Sequence, residues 1–217
     1  MTQPGDIDLQ FIASRQNCKI TCSFFIIFAL HTRRPIMKAI LETHRLLLRE
    51  FNPGDAGQFY QLNLNPNVIR YTGNTAFKNV EEATLFLENY QDYKQNGYGR
   101  WAVLDKSNDE FLGWCGLKYD KNLDETDIGF RFFETHWGKG YATESAKACM
   151  AYGFEKLHLE TIIGRAMTEN VASIKVLEKI GLAFDKEFDF DKQNKGVIYK
   201  MDRGHYNRTV SVHNIKL

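Results

Sequence analysis

Residues 130–144 place a strand, a loop with two glycines and the start of a helix next to one another. The run Phe-Arg-Phe-Phe over 130–133 predicts a strand, because aromatic residues are favoured on a pleated surface. Gly138 and Gly140 permit a turn without Cβ clashes, and apolar or small residues recur at helical spacing over 141–157. Free N–H groups and the positive end of the helix dipole meet in such a loop, which predicts an anion site, most often for phosphate. An ordinary strand–turn–helix with two convenient glycines is the alternative.

Length and charge narrow the classes of protein that the chain can belong to. Its 217 residues are enough for one domain with a substantial core and short additional segments. Twenty-eight Lys and Arg residues nearly balance 27 Asp and Glu residues, leaving a net charge of +1. This balance argues against a nucleic-acid partner and against binding to anionic membranes. Any phosphate recognition must therefore be local.

The four cysteines form no metal-binding pattern. Cys18 and Cys22 have neither a second pair nor nearby histidines, so no zinc site and no other metal is predicted. Cys115 falls in a predicted strand and Cys149 in a predicted helix, where small buried thiols are common. This use of cysteine indicates a reducing, cytoplasmic location.

Three segments differ in composition. Residues 1–36 are interpreted as an N-terminal extension, either disordered or produced by an upstream start. The apolar run at 24–30 is far shorter than the ~20 residues of a membrane helix, and no signal-peptide cleavage site follows it. Residues 37–203 are predicted to form one domain. Residues 204–217 are polar and unpatterned, and are expected to be a loose tail.

Hydrophobic periodicity and turn residues give the order of secondary-structure elements within the domain. Strands are predicted at 43–51, 100–105, 111–119, 126–133, 161–167, 183–190 and 196–201, and helices at 52–64, 79–96, 141–157 and 170–180. This order combines antiparallel hairpins with one βαβ crossover. It predicts an α+β domain with a mixed, mostly antiparallel sheet flanked by helices.

Two familiar phosphate sites fit the loop poorly. Gly138-x-Gly140 resembles the start of a dinucleotide-binding GxGxxG motif, and Glu160 follows at about the distance of a ribose-binding acid. The third glycine position is Thr143, however, and Glu160 precedes the next strand, whereas a ribose acid sits at the carboxyl end of that strand. A P-loop is excluded because Lys139 is followed by glycine and not by Ser or Thr.

The loop and the segments around it resemble one enzyme superfamily. Trp-Gly-Lys-Gly-Tyr-Ala at 137–142 closely resembles the Gln/Arg-x-x-Gly-x-Gly/Ala motif of the GNAT N-acetyltransferases. Residues 170–181 resemble the superfamily's downstream Asn-x-x-Ser helix, which ends in Glu-Lys-x-Gly. Further similar segments lie, in the right order, at 42–49, 111–116 and 127–130. Trp137 in place of Gln or Arg is typical of the branch that includes the ribosomal-protein N-terminal acetyltransferases. The resemblance covers about residues 39–203.

The resemblance implies a GNAT-like fold whose central strands, near 127–133 and 161–167, splay apart. It implies acetyl-CoA as cosubstrate, with the pantetheine arm pairing along the strand edge near Phe130 and Phe132. Asn170 matches the position whose amide contacts that arm. The coenzyme pyrophosphate would be bound by the backbone of Gly138, Lys139, Gly140, Tyr141, Ala142 and Thr143.

Transfer of an acetyl group to an amine needs alignment and removal of a proton, because an amine with a pKa of ~10 is charged at neutral pH. Asp127 is the first candidate for the base and Glu134 the second, and each could instead be an ordinary strand-end charge. Many superfamily members have a tyrosine, thought to protonate the leaving thiolate, where this chain has Leu177. The general acid therefore stays open between Ser173, a water molecule and no acid at all.

The main hypothesis is an acetyl-CoA-dependent N-acetyltransferase. Its acceptor is either a protein N-terminus or a small-molecule amine, in a pocket walled by the two N-terminal helices and their link at 65–80. The alternative from a different class is a non-catalytic acyl-CoA-binding module. A homodimer is a possible assembly.

Overall fold

A computed structural model describes residues 39–214 and contains one sheet of eight strands. These are β1 (Ala39–Glu42), β2 (Leu46–Arg49), β3 (Arg100–Asp105), β4 (Phe111–Asp120), β5 (Glu125–Phe132), β6 (Thr161–Met167), β7 (Ala183–Asp189) and β8 (Lys195–Asp202). Their spatial order is β1–β2–β3–β4–β5–β6–β8–β7. Within this sheet β5 and β6 pair in parallel, and each of the other neighbouring pairs is antiparallel. The predicted α+β class with a mixed, mostly antiparallel sheet is confirmed.

Helices flank the sheet. In the described residues they are α1 (Ala56–Leu64), α2 (Pro66–Ile69), α3 (Val80–Glu88), α4 (Asp92–Asn96), α5 (Tyr141–Ala151), α6 (Val171–Lys179) and α7 (Arg203–Asn214). Short 3-10 turns precede α1 at Pro53–Asp55 and α5 at Glu134–His136, and a π-helical turn, Tyr152–Lys156, continues α5. No helix of this part of the chain is long and apolar enough to cross a membrane.

Each face of the sheet has its own hydrophobic core. The alternation along β3 shows this directly, because neighbouring residues of a strand point to opposite faces. Trp101 and Val103 are buried in the cluster that also holds Cys149 of α5, whereas Ala102 and Leu104 are buried with residues of α1 and α3. We call these two sides of the sheet the α5 face and the α1 face.

The N-terminal part of the domain departs from the sequence prediction in two places. The strand predicted at 43–51 is the second arm of a hairpin, since Thr43 N–H donates to Leu46 O at 2.9 Å and closes a turn after β1. The helix predicted at 79–96 is broken into α3 and α4. The break follows Asn89, whose side chain and backbone N–H both donate to Leu85 O and so end α3.

The C-terminal segment, where a loose tail was expected over 204–217, is helical as far as the structure describes it. Arg203–Asn214 is helix α7, and Tyr206 stacks on Phe154 with ring centroids 4.7 Å apart. The Tyr206 hydroxyl also donates to Glu155 Oε1 at 2.5 Å. One aromatic anchor therefore orders a helix whose polar composition gives no periodic signal.

The extension predicted over 1–36 lies outside the described residues, so the boundary at Met37 stays a prediction.

The two central strands separate as predicted. Pairing between β5 and β6 ends at Ile128 and Gly164, although β5 continues to Phe132 and β6 to Met167. Leu177 of α6 fills the space beside Gly164, where a Cβ atom would lie 2.5 Å from Leu177 Cδ2. Gly164 is thus needed for α6 to approach the point at which the strands diverge. Beyond that point the edge of β5 is free of β6.

Candidate functional site

The glycine loop between β5 and α5 has the backbone geometry of an anion site. Gly138 and Gly140 have φ angles of 73° and 83°, in the left-handed region that glycine adopts most readily. Gly140 caps α5 without any side-chain hydrogen bond to the first turn. A Cβ atom at Gly138 would meet nothing within 4 Å, and one at Gly140 only Arg45 Nη2, at 3.5 Å. Backbone donors, a helix N-terminus and a guanidinium therefore border the same open space, which fits a pyrophosphate.

Side chains on both sides hold this loop in place. Arg45 Nη1 donates to Lys139 O at 3.1 Å, and its guanidinium lies 4.5 Å from the centroid of the Tyr141 ring. On the other side, Trp137 Nε1 donates to Phe132 O at 2.9 Å. The loop is thereby tied to β5 and to the turn between β1 and β2. Of the loop residues predicted to bind coenzyme, Lys139 is exposed, while Ala142 and Thr143 are half-buried in the first turn of α5.

Glu144 links α5 to the same β1–β2 turn. Its Oε1 accepts hydrogen bonds from Thr43 Oγ1 at 2.6 Å and from Arg45 N at 3.0 Å, and its Oε2 accepts from Arg45 Nε at 2.7 Å. Burial raises the pKa of Glu144, but the hydrogen bonds from Thr43 and Arg45 outweigh it, so the pKa lies below its usual value of 4.5. Because the folded-state pKa is lowered, this carboxylate stabilises the fold above pH about 4.5, and its contribution is lost as the pH falls through the lowered value.

Glu144→Gln is expected to reduce the free energy of unfolding at pH 7 by about 1–3 kcal/mol, the usual contribution of hydrogen bonds to a charged group. The difference from wild type should shrink below pH about 4.5, as wild-type Glu144 becomes protonated. Urea unfolding between pH 3.5 and 7 measures both the loss of stability at pH 7 and its decrease at low pH. Glu81→Gln is the control, since Glu81 is an exposed first-turn acid of α3 and reports the helix-dipole contribution. Equal losses in the two variants would contradict a role for the Thr43 and Arg45 bonds.

The residues predicted to border the coenzyme arm lie around the splay. Phe130 and Phe132 are on the part of β5 beyond its last pair with β6. Asn170 caps α6 with its Oδ1 accepting from Ser173 N at 3.1 Å, which leaves the Asn170 Nδ2 group for other partners. Ser173 is half-buried one turn into α6, and Leu177 is buried against Gly164 at the splay point. Their arrangement around a single coenzyme-binding opening stays a prediction.

Asp127 sits on the α1 face of β5, just before the splay. Arg100 Nη2 donates to Asp127 Oδ2 at 2.5 Å, and Arg165 Nε lies 3.6 Å from Asp127 Oδ1. Oδ1 is buried and accepts no hydrogen bond from the described residues. Asp127 also borders a cavity of about 410 Å³ that is lined by Arg100, Arg165 and residues of α4 and the β4–β5 turn. The carboxylate therefore has one oxygen fixed by Arg100 and one oxygen without a donor.

Glu134 occupies a different environment. It is exposed, and its two oxygens accept hydrogen bonds from Asn65 Nδ2 at 2.8 Å and Asn67 Nδ2 at 2.9 Å. These bonds join the turn after β5 to the start of α2. Both oxygens of Glu134 therefore have amide donors, whereas Asp127 Oδ1 accepts no hydrogen bond from the described residues.

The family assignment follows from a domain match. The Acetyltransferase (GNAT) domain matches residues 45–183, from the β1–β2 turn to the first residue of β7. This range contains the glycine loop, the splay and α6. The chain belongs to the GNAT acetyltransferase family.

Related proteins agree with this GNAT assignment. An uncharacterised N-acetyltransferase, p20, from Bacillus licheniformis is 34% identical over 149 residues, covering 68% of this chain and 83% of that protein. A solved GNAT-family acetyltransferase from Bacillus anthracis superposes with a TM-score of 0.65 at 25% identity, covering 77% of this chain and 98% of that one. The spermidine N-acetyltransferase of Vibrio cholerae, solved with CoA and spermine, has a TM-score of 0.63 at 20% identity, covering 76% and 99%. At 20% identity, the similarity to the Vibrio cholerae enzyme shows only that the fold is shared.

Several charged residues of this GNAT domain were not found by sequence reasoning. Arg100, Arg131 and Arg165 come together on the α1 face, although they lie on three different strands. Arg45 reaches the loop from a turn that is remote in the sequence. A lone arginine within a strand gives no signal of its own, because its partners depend on strand register. Among residues 39–214 there is no cluster of three His, Cys, Asp or Glu side chains able to hold a metal ion.

Proposed function

We propose that the protein transfers an acetyl group from acetyl-CoA to a primary amine. The observation that carries this proposal is the splay between β5 and β6 beside an uncapped glycine loop. Together they provide a free strand edge for an amide-bearing arm and a cluster of N–H donors for its pyrophosphate. Membership of the GNAT family supports the same reading.

On this proposal the amides from Gly138 to Thr143 bind the pyrophosphate, and the edge at Phe130 and Phe132 pairs with the pantetheine arm. Asn170 contributes its Nδ2 group to that arm. When bound, acetyl-CoA supplies a thioester, which is already activated for acyl transfer. The chain then has to align the amine, to polarise the carbonyl with a backbone N–H of β5 and to take up one proton.

Asp127 is the proposed base. Asp127 Oδ1 first takes one proton from the charged amine, directly or through water, because only the neutral amine has a lone pair. The nitrogen then bonds to the acetyl carbon, the carbon–sulfur bond breaks, and the second proton of the nitrogen passes to the leaving thiolate or to water. Arg100 keeps Oδ2 in place while Oδ1 changes protonation. Glu134 is the second candidate. Since Leu177 cannot donate a proton, the thiolate leaves without an acid or takes its proton from Ser173 or water.

A non-catalytic acyl-CoA-binding module is the second candidate function. Two observations favour it: Leu177 replaces the frequent tyrosine, and Asp127 is engaged in a buried ion pair with Arg100. Such a module would bind acetyl-CoA and release no thiol. We place either activity in the cytoplasm, where the buried thiols of Cys115 and Cys149 stay reduced.

Acetyl-CoA is expected to stabilise the fold, by about 2.7 kcal/mol at a concentration 100 times its Kd. Thermal unfolding with and without the coenzyme measures this shift, with a nicotinamide dinucleotide as control. A thiol-release assay with small amines and N-terminal peptides then separates the candidates. Release with one class of amine supports the enzyme, and a melting shift without release supports the binding module. A rise in melting temperature with the dinucleotide but not with acetyl-CoA would exclude both the enzyme and the binding module.

A further inference from the structure

Arg131 carries a positive charge on the α1 face without a carboxylate partner. Its Nη1 donates to Asn63 Oδ1, and its Nη2 donates to Asn74 Oδ1 at 2.9 Å. Both partners are neutral amides, and no ion pair within residues 39–214 includes Arg131. The residue is half-buried and Asn74 is exposed, so a ligand can reach the guanidinium from solvent.

The surroundings of Arg131 combine one favourable contact, with the Trp114 ring, and two unfavourable effects on its charge. Its guanidinium carbon lies 5.3 Å from the centroid of Trp114, and that of Arg100 lies 5.6 Å from the same ring. Burial first, and then repulsion from Arg100, lower the pKa of Arg131 to about 10. The side chain still remains charged at neutral pH. Arg100 is compensated by Asp127, but the described residues offer Arg131 no such compensation.

Trp114 adds a second group that lacks an acceptor. Its Nε1 is buried and has no hydrogen-bond partner among the described residues. A buried donor without a partner is unfavourable. Arg131 lies over the Trp114 ring and has no anionic acceptor among the described residues, which suits a carboxylate, because a guanidinium binds carboxylate oxygens in a bidentate manner.

Arg131 contacts two segments that are predicted to wall the acceptor pocket. Asp127 and Arg131 are four residues apart on β5 and point to the same face, a separation of about 13 Å along the strand. Asn63 belongs to α1 and Asn74 to the link between α2 and α3, the region predicted to wall the acceptor pocket. The glycine loop leads instead into α5, whose buried residues belong to the core of the α5 face. A group bound at Arg131 would therefore lie next to the segments predicted to wall the acceptor pocket.

We propose that Arg131, with Trp114 and Asn74 beside it, binds a carboxylate of the acceptor, so that the acceptor is an amine that also carries a carboxylate. This inference rests on the proposed N-acetyltransferase function. It distinguishes the chain from an enzyme specific for polyamines, which would place further positive charge next to Arg131. A free amino acid and an acidic peptide share the required chemistry.

Lysine and cadaverine test the proposal, because they differ by one carboxylate. Each is added to the full-length protein with coenzyme A, and the melting temperature reports a dead-end complex without requiring turnover. Thiol release from acetyl-CoA gives kcat/KM for both amines. We expect lysine to exceed cadaverine at least tenfold in kcat/KM and to raise the melting temperature further. A peptide with glutamate at its second position, compared with its glutamine counterpart, shows whether the carboxylate belongs to a peptide.

Arg131→Gln and Arg131→Lys separate recognition from structure. Arg131→Gln should lower kcat/KM for lysine by about 10- to 100-fold, mainly through KM, and leave cadaverine within about twofold. Arg131→Lys, which keeps the charge, should recover part of the loss. Equal responses to both amines in wild type, or equal losses for both in Arg131→Gln, would overturn the carboxylate site alone. Coenzyme A that gives no stabilisation would overturn the proposed function itself.

Discussion

Gly140→Val is expected to weaken coenzyme A binding at least about 100-fold, which corresponds to about 2.7 kcal/mol. Gly140 caps α5 at φ 83°, and the pyrophosphate must approach the backbone there within hydrogen-bond distance. A branched side chain would enter the space that the ligand needs, and it also disfavours this backbone angle. The fold itself should lose only about 1–2 kcal/mol, because a Cβ at this position meets nothing closer than Arg45 Nη2 at 3.5 Å.

Gly97→Val is the matched control for backbone strain. Gly97 ends α4 with a φ angle of 77°, and a Cβ there meets nothing within 4 Å, but the residue is not part of the loop. Both variants should therefore unfold at urea concentrations that are lowered by a similar amount. Only Gly97→Val should keep the wild-type affinity for coenzyme A. Calorimetric titration with coenzyme A measures the difference. Wild-type affinity in Gly140→Val would refute the phosphate-loop assignment.

Those parts of the fold that depend on local sequence could be predicted. β3 and β6 have the predicted bounds, and α1 begins after Asn52–Pro53 as expected, with Asn52 and Asp55 forming a capping box. Gly97 ends its helix in the left-handed conformation, again as expected. In each case a periodic pattern and a capping or turn residue are adjacent in the chain, so no tertiary information is needed.

The features that sequence reasoning missed depend on contacts between distant segments. Helix α7 is held in place by the stacking of Tyr206 on Phe154. Next to the glycine loop, Arg45 donates a hydrogen bond to Glu144, which lies 99 residues further along the chain. The neighbours of the charged residues on the α1 face depend on strand register: β4 places Lys118 opposite Asp127 and Trp114 opposite Arg131. A shift of one residue would send these side chains to the other face. Their chemistry was therefore visible only once the register was known.

Asp127→Asn is expected to lower kcat by about 100- to 1000-fold, within the usual range for loss of a general base. Coenzyme affinity should stay close to wild type, because Asp127 lies on the α1 face, before the free edge of β5 begins. The substitution also removes the counter-charge of Arg100, whose ion pair with Asp127 is almost fully buried. The free energy of unfolding should therefore fall by about 3–5 kcal/mol, so turnover must be compared well below the melting temperature.

The pH dependence separates a base from a merely structural ion pair. If Asp127 Oδ1 accepts the proton, the deficit of Asp127→Asn should shrink at high pH, where an acceptor amine with a pKa of ~10 loses its proton unaided. A structural role predicts a deficit that does not change with pH. Glu134→Gln is the control, because it removes the other candidate carboxylate and spares the Arg100 ion pair. A pH–rate profile of unchanged shape in Asp127→Asn, together with an altered one in Glu134→Gln, would transfer the role of base to Glu134.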